Sequence, residues 1–255
     1  MQPRLQGFRL GRMRTLRGFT GQGPAILTFL LLAFLSIAAA PSQQPDESSV
    51  IRGVDAAVKA RLDGIAAYTA TEHYSVFRNN DQTHPASEMV VRTQYNRDTG
   101  KSYTILSHSG SELIRRFVLD AILDREKEIN QPGVREGTWL TSANYEMKLL
   151  PGNPQRVDGR NCLAISISPR QKAPNLIVGT IWVDANDDSI VSLQGTASES
   201  ISHFTGPTQM MRQYASIDGF SMASHARAVS NSFLFGQTVV TIDYRDYQFE
   251  LRPAK

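Results

Sequence analysis

A single cysteine, Cys162, stands in a chain of 255 residues, alongside only two tryptophans and five histidines. One thiol cannot close an internal disulfide, so the fold does not depend on intrachain staples. A domain of about 215 residues needs none, because it buries roughly 70% of the surface its unfolded chain exposes. Cys162 opens an apolar strand and reads as a buried, inert thiol. Catalytic signatures are missing as well: there is no Gly-x-Ser-x-Gly elbow, no His-Glu-x-x-His pair and no Cys-x-x-Cys. His73, His84, His108, His203 and His225 have no metal-ligand spacing and read as surface or turn residues. Asp184-x-Asn186-x-Asp188 opens like a calcium loop, but Ser189 stands where that loop needs glycine and Gly195 where it needs glutamate. It reads as a polar turn. The expectation is a binding protein with no catalytic residues, no metal and no cofactor.

Acidic residues are absent before Asp46, while Arg4, Arg9, Arg12, Arg14 and Arg17 precede an apolar run, Ala25 to Ala40, relieved only by Thr28 and Ser36. A basic segment, a short apolar core and small residues at its end make a secretory signal. The run falls short of the roughly 18 to 20 residues a spanning helix needs, which favours a cleaved signal over an anchor. Residues 1–40 are therefore read as a signal peptide and the protein as periplasmic. Met13 is an alternative start. The preferred cleavage point follows Ala38, with Ala40 disfavoured by Pro41. Setting aside those five of the 27 basic residues leaves 22 against 24 acidic ones, a charge of about −2. Nucleic-acid binding needs a basic face, and the mature sequence shows none.

Residues 41–49, a polar stretch without periodicity, read as a disordered linker, and residues 50–255 as one domain. Val54, Val58, Leu62 and Ile65 fall on one helical stripe, predicting a helix over 50–67 capped by Ser48 or Ser49. Three strands follow, over 68–78, around 89–95 and over 102–107. Ser109 with Glu112 reads as a capping box opening a second helix with a broad apolar stripe, Leu113, Ile114, Phe117, Val118, Ala121 and Ile122, widened by Leu119 and Leu123. Its tail, Asp124–Glu128, is fully charged, and Pro132-Gly133 ends the element. From Tyr145 onward, alternating segments punctuated by Pro151-Gly152, Asp158-Gly159, Asp218-Gly219 and Gly236 predict a meander of about seven antiparallel strands, with an irregular stretch from Ile201 to Gln209. The fold class is α+β.

Several segments carry a family resemblance: Asn144 to Leu150, Asp158-Gly159-Arg160, Gly179-Thr-Ile-Trp182-Val-Asp184 with Ile190 and Gly195 beyond it, Asp218-Gly219-Phe220, and Thr241 to Tyr247. In type and order they resemble the bacterial outer-membrane lipoprotein-sorting proteins of the LolA/LolB-like superfamily. There are departures. Leu193 stands where members often carry arginine, and Ser221-Met222-Ala223 replaces a usual Leu-Pro ending. The resemblance implies a strongly curved antiparallel sheet, an open half-barrel, with helices covering an apolar concave face that binds acyl chains. On that reading Phe117, Val118, Ile122, Tyr145, Met147, Leu149, Ile165 and Trp182 line the cavity, although the default for each one singly is plain core. Arg115 and Arg116 are candidates for a lipid headgroup, against a solvated helix face. The leading function is a monomeric carrier of lipid or lipoprotein acyl chains. The alternative is an envelope sensor or scaffold that binds a membrane-protein partner, and an envelope hydrolase is a third.

Overall fold

The computed structural model describes residues 45–253 apart from 174, 200–205 and 233–235; the signal segment and most of the 201–209 stretch lie outside the described residues. Helix α1 (Glu47–Gly64) begins inside the expected linker. Its cap is Asp46, whose Oδ2 accepts from the Ser49 amide at 2.9 Å; Ser48 donates to that carboxylate instead of capping. Asp46 thus satisfies an amide of the first turn that has no partner inside the helix. The four-residue spacing of Val50, Val54 and Val58 buries one stripe of α1. The helix ends at Gly64 because the β-branched, aromatic-rich run from Ile65 enters a strand without a loop.

Strands β1 (Ile65–Arg78), β2 (Ser87–Asn96) and β3 (Gly100–Gly110) form the first meander. β3 runs through Ser109, so the expected capping box does not form. Ser111 takes the position, accepting from the Ile114 amide at 3.4 Å. The turn between strand and helix is made at Gly110, at φ +82°, where a Cβ would sit 2.5 Å from the Ala86 carbonyl oxygen. Helix α2 (Glu112–Ile114), a π turn (Arg115–Leu119) and α3 (Asp120–Ile129) then follow without a break. The π turn inserts a five-residue step, which keeps Ile114, Leu119 and Leu123 on the buried side. Of the expected stripe, Leu113 and Phe117 are the residues that this step leaves outside, 57% and 63% exposed.

Eight strands follow, one more than expected: β4 (Tyr145–Leu149), β5 (Gln155–Val157), β6 (Arg160–Pro169), β7 (Ile177–Asp184), β8 (Ile190–Ala197), β9 (Gln209–Ile217), β10 (Phe220–Ser232) and β11 (Gly236–Leu251). The three-residue β5, paired only with β6, was too short to show periodicity. All eleven strands make one antiparallel sheet: ten follow the order β3-β2-β1-β11-β10-β9-β8-β7-β6-β4, and β5 lies off this path against β6. Its two ends, β3 and β4, are not paired with each other, so the sheet is open.

Direct register partners face the same way, and one row can be followed across the sheet: Leu149, Ile165, Ile181, Leu193, Arg212, Ala226, Ile242, Tyr74, Met89 and His108. Two apolar cores lie on that face. The α1 valines pack with Leu149, Ile165, Ile181 and Leu193. Ile114, Leu119 and Leu123 pack with Tyr74, Met89 and Val240, with Ile242 alongside. Glu126 of α3 bonds Lys101 on β3, yet its charge also acts on Arg212 of β9. A flat sheet would hold those strands five spacings apart, roughly 24 Å, so this influence is consistent with a curved sheet.

Candidate functional site

At the midpoint of the row the apolar sequence is interrupted. Arg212 lies between Leu193 and Ala226, with the α1 core on one side and the α2–α3 core on the other. It is partly buried and forms no ion pair with a described carboxylate. Tyr214 shares its hydrogen bonding, and Tyr244 lies close by. Burial works against its charge, but the two phenols and Glu126 outweigh burial and hold the guanidinium above its ordinary value. Tyr244 is pushed up by its own burial. On β10 the residues that face this strip, Ala226 and Ala228, are small.

A polar array continues from Arg212 toward β3. Glu72 is 2% exposed, accepts from the Tyr74 hydroxyl at 2.5 Å and pairs in register with Tyr244. Lys101 donates to Glu126 at 3.1 Å, and the Asn130 amide donates to the same carboxylate at 3.3 Å. Burial opposes the charge of both partners. Tyr68 and Glu126 nevertheless hold Lys101 well above its usual value, and Lys101 with Arg212 holds Glu126 below its own. The buried hydroxyls of Thr93 and Tyr103, register partners on β2 and β3, have no partner among the described residues. At the far end Tyr68 stacks on Tyr95 at 5.0 Å, with Tyr247, Phe249 and Phe220 around them, and the Arg135 guanidinium lies 5.8 Å from the Tyr95 ring centre. The covered face thus offers phenol and cation donors between two apolar floors.

The residues expected to line a cavity divide among several places. Tyr145, Leu149 and Ile165 are buried in the α1 core, and Met147 packs against it. Val118 and Ile122 are partly buried against the other core. Phe117 points outward. Trp182 lies on the opposite face of the sheet: it alternates with the buried Ile181 and Val183, and its partners are Ala164 and Ser192. Arg115 is held by Glu112 and by Asp120 at 2.8 Å, while Arg116 is exposed. Sequence reasoning missed Arg212, Tyr214, Tyr244, Lys101 and Glu126. A lone arginine in Met210-Met211-Arg212-Gln213-Tyr214 was the available signal, and Glu126 was one charge in a fully charged tail.

Cys162 is fully buried, which pushes its thiol up. His225 pairs with Asp243 at 2.8 Å, on the face opposite Arg212. Asp184 is engaged by Arg160 at 2.5 Å and accepts from the Asn186 amide, the chemistry of a capped turn. Among the described residues no cluster of histidine, cysteine and carboxylates could hold a metal ion, and no helix is long and apolar enough to cross a membrane.

No protein-family model and no curated protein sequence matches this chain. The chain is similar to solved structures of LolA-like proteins. One is a LolA superfamily protein from Nitrosomonas europaea, at 11% identity and a TM-score of 0.42, covering 82% of this chain and 96% of that one. A second is a domain from Vibrio parahaemolyticus described as an outer membrane lipoprotein-sorting protein, at 13% identity and a TM-score of 0.45, covering 79% and 92%. A third is a DUF1329 family protein from Desulfovibrio piger, at 12% identity and a TM-score of 0.40, covering 79% and 93%.

Proposed function

We propose that this protein is exported to the periplasm through its 1–40 segment and binds lipid or the acyl chains of lipoproteins, without catalysis, as a LolA-like half-barrel. The supporting observation is the row from Leu149 to His108: one face of an open sheet, apolar on both sides of its centre, faces two separate helical covers. In this reading the face is concave and α2–α3 is the lid. α1 is fastened by Glu47 to the Leu149 amide and by Asp55 to Ser142, whereas α3 is latched by Lys101 and Glu126 at the open end. Lifting α2–α3 exposes the surface under Val118 and Ile122, and each acyl methylene placed there contributes about 0.8 kcal/mol.

The test is to purify the exported protein from periplasm without detergent and record a native mass spectrum. A bound species of lipid mass, lost in a folded Ile122→Glu or Met147→Glu variant, is expected. A ligand-free protein that also takes up no added lipid would overturn the reading.

A second reading, recognition of a protein partner, is favoured by Leu113 and Phe117 on the outer side of the lid and by Leu106 at the open edge, 50% exposed. Crosslinking from position 117 to an envelope protein by lipid-free material would favour it over the carrier.

A further inference from the structure

Resting on the acyl-binding reading, we infer that Arg212 holds the head of the ligand, and that the ligand is therefore a long-chain amphiphile with a monoanionic oxygen head, a carboxylate or a phosphodiester. A guanidinium withdrawn from bulk water is stable when its donors are met by acceptors of opposite charge. Among the described residues, Arg212 has Tyr214 as its hydrogen-bonding side-chain neighbour and no carboxylate in ion-pair reach, although Glu72 and Glu126 lie on the same strip. Its register neighbours set the direction of the chain. Leu193 and Ile181 continue the floor toward the α1 core, while the neighbours on β10 that share its face, Ala226 and Ala228, are small. A planar guanidinium takes two oxygens of one acid group side by side, a geometry an ammonium does not offer. The two carboxylates already present disfavour a dianion by like-charge repulsion, which leaves a single negative charge as the best match.

The experiment compares palmitate with hexadecanol, which has the same chain and no charge, by calorimetric titration into the delipidated exported protein. Palmitoyl lysophosphatidylglycerol and millimolar inorganic phosphate serve as further arms. Palmitate binding at least about tenfold tighter than hexadecanol is expected, as one charge-assisted bidentate contact supplies that much. Arg212→Gln should erase the preference by weakening palmitate alone, and Arg212→Lys should keep part of it. If lysophosphatidylglycerol outranks palmitate, the head is a lipid phosphodiester; the reverse order makes it a fatty-acid carboxylate. Either order agrees with the inference. Equal binding of palmitate and hexadecanol by the unmodified protein overturns it while leaving acyl binding intact. So does competition by inorganic phosphate as strong as that by palmitate. Failure of every amphiphile to bind sinks the acyl-binding reading itself. The comparison on the unmodified protein needs no variant to fold.

Discussion

Gly179 of β7 and Gly195 of β8 are register partners, and neither has room for a side chain. A Cβ on Gly179 would come within 2.1 Å of the Gln194 carbonyl oxygen, and one on Gly195 within 2.4 Å of the Val178 carbonyl oxygen. The two bare backbones approach each other on the face that carries Ile181 and Leu193, beneath the α1 core. Glycine in a strand interior often marks such an approach.

Gly179→Ala should therefore destabilise the protein by about 1–3 kcal/mol, the usual cost of overpacking. Urea unfolding followed by circular dichroism reads this directly. An unchanged midpoint would show that the strands can part without cost.

The Lys101–Glu126 pair couples the edge strand to α3, with side chains only 12% and 23% exposed. Removing one partner strands a largely buried charge. Lys101→Met should cost about 3 kcal/mol, and the double change Lys101→Met with Glu126→Leu should cost less than the single one. Denaturant midpoints of the two variants decide this.

Glu126 also sets an acid limit. Its folded value lies below the ordinary 4.5, so the unfolded chain binds a proton first as pH falls. The stability it contributes is fully present above about 4.5 and is lost as pH drops through the lower folded value. Melting temperatures should decline across that window, and Glu126→Gln should flatten the decline. A variant that follows the same curve would assign the acid sensitivity to other groups.

Trp182 makes a control for the binding face. Its side chain is on the far side of the sheet from Ile165 and Arg212, so Trp182→Phe should leave lipid affinity unchanged to within about twofold, while Ile122→Glu abolishes binding. Titration calorimetry compares the two, and a large loss with Trp182→Phe would place the ligand on the other face.

Cys162 should resist alkylation in the folded protein, since the thiol is fully buried and its ionisation is pushed up by that burial. Iodoacetamide labelling followed by intact mass should show modification only in denaturant. Rapid native labelling would mean that β6 opens.

Much of the fold was legible along the chain. The α1 valines, the alternation in β6 and β7, and the turn residues at Asp158-Gly159 and Asp218-Gly219 mark elements through local chemistry alone. The errors share a cause. Ser109 met the capping pattern, but β3 continued through it because β2 kept pairing as far as Ser87 with Gly110. Phe117 sat on an ideal helical stripe, but the π turn shifted the phase. The candidate site was hardly legible, because Arg212, Tyr244, Glu126 and Lys101 come from four elements spread over more than a hundred positions.

The sequence by itself determined the basic-then-apolar pattern of the first forty residues, the periods of helices and strands, and the presence of an antiparallel sheet with one covered face. These depend on side-chain chemistry at neighbouring positions, which the sequence carries in full. Only the tertiary structure decided which face was covered, since a period of two describes both sides of a strand equally. It placed Trp182 outside and Arg212 at the centre of the covered row through the register of hydrogen-bonded strands, and it turned Glu126 of α3 toward Lys101 of β3.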